Sequence, residues 1–176
     1  MKFKFDSEDL KEIDGIKSRV EANSRQMDDI VHDIIDPYVR DLDKYVLFIK
    51  DCLADGQNPP TDAELDDFVM NLSTYIYFAS GMCEQLGIRD DIAKAVYKEM
   101  YHSVRSDIDG GTVADKNSLA ELEAQKENVV SIAYSRAYKI VKAKVESAQE
   151  LLSSCKKVLS RRMSEAELTH LGGSGR

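Results

Sequence analysis

From Thr112 to Leu171 the chain contains no glycine and no proline. No other feature restricts the fold as much, because irregular structure is punctuated by those two residues. Through this stretch Leu119, Leu122, Val129, Ile132, Ala133, Val141, Val145, Ala148, Leu151, Leu152, Cys155, Val158 and Leu159 form one long apolar pattern. Its period is that of a helix with one apolar face. A helix from about 117 to 163 would be roughly 70 Å long at ~1.5 Å per residue. A compact domain needs no such rod, so it is expected to bend or to pack against another subunit.

The remainder reads as helix too, with only 9 glycines and 3 prolines in 176 residues. Residues 8–35 carry Leu10, Ile13, Val20, Met27, Ile30, Val31 and Ile34, a pattern weak enough before Arg25 to predict a mobile start. Asp36-Pro37 reads as a restart, an N-cap followed by the proline that a first helical position accepts. The stripe Tyr38, Leu42, Tyr45, Val46, Ile49, Cys52, Leu53 follows, up to the loop ADGQNPP. Thr61 and Glu64 form a capping box for the next helix, which Gly87 is expected to end. Asp90 or Asp91 then caps a shorter helix to Val104, and DIDGG at 107–111 is the clearest break. The expectation is an all-α chain of about five helices in one domain, 1–170. It divides into an N-terminal helix (1–35), a bundle (36–106) and a long C-terminal helix (112–168). The ending 171–176 reads as an expression scar.

No apolar run reaches the ~18–20 residues of a membrane span, and the acidic beginning MKFKFDSEDLKE does not resemble a signal peptide. Cys52, Cys83 and Cys155 lie in no C-x-x-C pair. They read as reduced, buried thiols of a cytoplasmic protein.

Charge is unevenly distributed. Residues 1–67 hold 18 acids and 9 bases, residues 68–130 hold 10 and 6, and residues 131–176 hold 4 and 9. The chain is a charge dipole along its length. Such asymmetry predicts an anionic partner at one end or head-to-tail contact between subunits. The basic end is concentrated in 135–162, where Arg136, Lys139, Lys142, Lys144, Lys156, Lys157, Arg161 and Arg162 face only Glu146 and Glu150. Arg136, Lys139 and Lys142, three residues apart, share a helix face. Part of this charge is explained by Glu146 four residues after Lys142, and by the helix C-terminus, which favours cations. A second basic stretch, AKAVYKEMYHSVR at 93–105, interleaves Lys94, Lys98 and Arg105 with Tyr97 and Tyr101. Rings beside cations suit a single strand, whose bases stack while its phosphates pair. The plainer alternative is tyrosines bordering a core.

Three acid–histidine pairs, Asp29/His32, Glu99/His102 and Glu167/His170, have the i, i+3 spacing used in di-iron bundles. In an acidic chain chance adjacency accounts for them, and no metal or cofactor is expected. DIDGG lacks the Lys-Ser/Thr of a phosphate loop, and no nucleophile–base signature is present. An enzyme is not expected.

The segments AVYKEMYHSVRSDIDGG, TVADKNSLAELEAQ and KVESAQELLSSCKKVLSRRMSE resemble, in order, three parts of one family. They are similar to the basic-aromatic helix and glycine loop, the polar linker and the closing helix of the UvsY-like recombination mediators of T-even-type phages. The likeness covers about 93–167, whereas the acidic first 92 residues have no counterpart. It implies a non-enzymatic multi-subunit ring in the host cytoplasm. Such a ring binds single-stranded DNA and helps a recombinase displace a single-strand-binding protein. Carried over, Lys94, Lys98 and Arg105 would contact DNA and Tyr97 and Tyr101 would stack on it. Lys139, Lys142, Lys156, Lys157, Arg161 and Arg162 would be secondary contacts on a helix that mainly builds the oligomer. The competing reading is a helical scaffold, phage-encoded as well, whose acidic front binds the basic rear of a neighbour.

Overall fold

The computed structural model describes residues 7–54, 56 and 58–173, with side chains from 10 to 168. Four helices account for it: α1 Ser7–Ala54, α2 Asp62–Asp107, α3 Val113–Glu123 and α4 Gln125–Gly173. No strand occurs among the described residues. The all-α expectation holds, but the count is four, not five.

Three boundaries differ, each for a packing reason. α1 runs straight through Pro37. An interior proline removes one backbone hydrogen bond and crowds the carbonyl four residues back. Burial of Ile35, Tyr38, Val39 and Leu42 on both sides offsets that loss. α2 likewise continues through Gly87, where a Cβ would stand 3.2 Å from Cε2 of Tyr138 on α4. That glycine is a point of close helix approach and not a terminator. Asp90 is therefore interior, and neither it nor Asp91 caps anything. Conversely, the long C-terminal helix is broken at Ala124 (φ −85, ψ 12), leaving the short α3 before it. The break is shallow, since Ala124 N–H donates to Ala120 O and Asn128 N–H to Ala124 O, both at 3.0 Å.

Other local signals act as expected. Thr61 Oγ1 accepts from the Glu64 N–H while the Glu64 carboxylate takes the Thr61 N–H at 2.7 Å. A second capping box, Thr112 with Asp115, starts α3. Between them Gly110 and Gly111 turn the chain at φ 79 and 81, a region costly for any residue with a Cβ.

α1, α2 and α4 share one core, organised as two clusters. Val31, Ile35, Tyr38 and Val39 of α1 meet Cys83 and Leu86 of α2 and Ala133, Ala137 and Val141 of α4. Further along, Leu42 and Ile49 meet Leu65, Phe68, Leu72, Ile76 and Ala79, with Val145 and Ala148. As α1 and α4 numbers rise, α2 numbers fall, so α2 is antiparallel to both. Tyr45 stacks on Tyr75 at 4.9 Å, and Phe48 meets Phe68 edge-on at 5.9 Å. Before Met27, α1 leaves this core: residues 10–26 are exposed except for a half-buried Ile13. No helix among the described residues is long and apolar enough to cross a membrane.

Candidate nucleic-acid interface

The second half of α2 positions the first set of candidate contacts. Lys94, half-exposed, is already paired there. Its ammonium donates to Asp90 at 2.6 Å and lies 3.9 Å from Asp91. Asp90, buried between α2 and α4, also accepts from the Ser135 hydroxyl at 2.6 Å. Burial alone would raise its carboxyl pKa. The hydrogen bonds from Lys94 and Ser135, with the charges of Lys94 and Lys139, outweigh that and hold it below the ordinary value. Lys98 is exposed, whereas Arg105 is half-buried in the last turn, where a cation suits the helix dipole. Tyr97 and Tyr101 are half-buried with ring centroids 6.4 Å apart. Tyr97 borders a shallow cleft with Ser118 and Leu122 of α3 and Asn128 of α4. Its position is that of a tyrosine at the edge of a core.

α4 divides the second set by facing. Lys144 is drawn to Asp43 of α1, with both carboxylate oxygens within 2.8 Å of its ammonium. Arg162 donates to the Pro60 carbonyl at 2.7 Å and reaches Asp62 at 3.1 Å, clamping the end of α4 to the start of α2. Arg161 stands 3.6 Å from Glu165, an exposed pair worth little. Arg136, Lys139, Lys142, Lys156 and Lys157 are all exposed. Among the described residues none of the five has an ion pair, not even the Lys142–Glu146 pair that their spacing permits. Lys142 and Lys156 are about 21 Å apart along the axis at ~1.5 Å per residue. The candidates thus form separate groups on one bundle, and no single groove gathers them.

The histidines carry no cluster. His32 and His102 are exposed, His170 lies outside the described side chains, and no group of three or more His, Cys, Asp or Glu residues converges among those described. Cys83 and Cys155 are buried free thiols whose pKa burial raises, which keeps them protonated.

From Phe68 to Cys83 α2 carries no charged residue on any face, in a chain that is 32% charged. On its solvent side Met70, Tyr77 and Phe78 are exposed. The missing charge was the available signal, hidden because the same stretch supplies the core. In comparisons with known proteins no family model matches the chain, and no curated protein or solved structure matches it.

Proposed function

We propose that this protein is a non-enzymatic, self-associating single-stranded DNA-binding accessory of recombination, of the kind that helps a recombinase displace a single-strand-binding protein. One observation carries the reading: Arg136, Lys139 and Lys142 stand exposed and unpaired on one face of α4, in a chain whose net charge is −8. Acids outnumber bases 32 to 24, yet among the described residues none of these three cations forms an ion pair, the Lys139 charge being felt only at a distance by Asp90. Phosphates are the partners such a row suits, because each contact releases a counterion. The reading moves the principal contact from α2 to α4, since Lys94 is occupied and the tyrosines are half-buried. Lys98, Lys156 and Lys157 remain as secondary contacts.

The test is fluorescence anisotropy of a labelled single-stranded oligonucleotide at low and moderate salt. Arg136→Glu/Lys139→Glu/Lys142→Glu is expected to weaken binding more than tenfold at low salt. The slope of log affinity against log salt should flatten by about 2, at ~0.7 per lost phosphate contact. Affinity unchanged in this variant removes the α4 face from the reading. No binding by the parent protein at low salt removes DNA altogether.

The exposed apolar residues of α2 favour a second reading, a helical scaffold held together by its own contacts. It predicts assembly in the absence of any nucleic acid.

A further inference from the structure

The outward side of α2 has the chemistry of a buried surface. Met70 is 67% exposed, Tyr77 75%, Phe78 61%, Ile88 60% and Ile92 57%. Their spacing keeps them on one side of the helix, opposite Leu65, Phe68, Leu72 and Leu86 of the core, with Ile92 at the edge of that side, where it borders a cleft against Val130 and Tyr134 of α4. A surface helix ordinarily backs its apolar stripe with charge, whereas here Glu84, beside Tyr77 and Phe78, is the one charged residue between Phe68 and Ile88. With ~150–250 Å² per large side chain, the exposed parts of these five amount to roughly 600 Å² per subunit. Each partner in a standard interface contributes about 800 Å², so with Thr74 and Gln85 alongside, the face approaches that size.

We propose that this face packs against the same face of a second copy, α2 crossing α2 antiparallel about a two-fold axis at Gly81. Gly81 lies midway, eleven residues from Met70 and eleven from Ile92. A Cβ built there meets nothing within 4 Å, so the middle of the stripe is open and flanked by the small Ser80. Two helices can approach closely only where such a gap exists.

Charge selects a second copy and sets its direction. The first turns of α2 hold Asp62, Glu64, Asp66 and Asp67, and no lysine or arginine occurs before Arg89. The second half sets Arg89, Lys94, Lys98 and Arg105 against Asp90, Asp91, Glu99 and Asp107, so it is neutral where the first half is acidic. Antiparallel pairing about Gly81 sets position 98 opposite 64 and position 96 opposite 66. Lys98, without an ion pair in its own chain, then lies within a turn of Asp66 and Asp67 of the second copy. Parallel pairing would instead bring the two acidic starts together, where like charges repel. The contact is isologous, each residue meeting its symmetry mate, as two-fold assemblies require.

The proposal supplies a contact for the self-association proposed above and rests on that part of the reading only. Its test uses the full-length protein without nucleic acid: sedimentation equilibrium across a wide concentration range. The parent is expected to be dimeric, or a multiple of two. Gly81→Arg should halve the mass while keeping helicity, and its stability should match the parent's at concentrations too low for association, since the site is open in the single chain and arginine is the better helix former. Gly81→Cys should cross-link to a dimer under mild oxidation, whereas Ser153→Cys on the outer side of α4 should not. A parent of single-chain mass at every concentration overturns the proposal and leaves the face to a different protein. A Gly81→Arg variant of unchanged mass, or cross-linking equal at both cysteines, also overturns it. The α4 charge-reversal variant should keep the parent mass, so loss of DNA binding and loss of pairing are read separately.

Discussion

α2 and α4 lay one side each against the same core, yet their opposite sides differ in kind. α4 turns Arg136, Lys139, Lys142 and Lys157 to solvent. α2 turns Met70, Tyr77, Phe78 and Ile88 there. Core packing explains neither choice, since any polar, mixed-charge surface would have served the fold. The inward stripes are an account of folding and the outward ones an account of contact. A reading of function has to begin with what remains once the core is subtracted.

Substitutions on the two sides of α2 should differ most in their effect. Leu72 is fully buried and Met70, two residues away, is 67% exposed. Leu72→Ala is expected to destabilise the fold by about 2–5 kcal/mol, and Met70→Ala by no more than ~0.5 kcal/mol, both by denaturant unfolding at concentrations too low for association. Equal losses would mean that α2 has no free side. The seam between the helices comes next. Asp90→Ala strips Lys94 and Ser135 of their acceptor and should cost about 1–3 kcal/mol. Because the Asp90 carboxyl pKa is lowered in the folded protein, its stabilisation is present above the ordinary value of 3.8 and is lost as pH falls through the folded value. Asp90→Asn should remove that part of the acid sensitivity, as read by unfolding titrations from pH 6 to pH 2.5. The smallest effect distinguishes how the two helices begin. α2 starts at the Thr61 capping box, so Thr61→Ala should cost ~1 kcal/mol. α4 emerges from the Ala124 bend without such a cap, and Gln125→Ala at its exposed first position should change thermal stability by less.

Much of this was legible in the sequence: the helical class, the Thr61 box, the Gly110–Gly111 turn and most core positions. These signals are local and nothing distant contradicts them. The helix count was misread at Pro37 and Gly87, where tertiary burial overrides local breakers, and at Ala124, where the best helix former sits at a bend. In the candidate interface, spacing could have flagged the Asp90–Lys94 pair, four residues apart. It could not flag Lys144 with Asp43, or Arg162 with Asp62, partners about a hundred positions away that only the bundle brings together. Which cations stay free is a property of the fold.

The departure of α1 from the core before Met27 has a dynamic consequence. Residues 10–26 are held by little beyond their own helical hydrogen bonds, and isolated helices of that length are marginal in water. The core takes hold of the helix from Met27 onward, at Val31 and Ile35, and the arm is joined to it only through the helical ladder. Amide hydrogens in the arm should therefore exchange at almost no free-energy cost, whereas those around Leu72 and Val141 wait for global unfolding. One unbroken helix would then contain two cooperative units, divided near Met27.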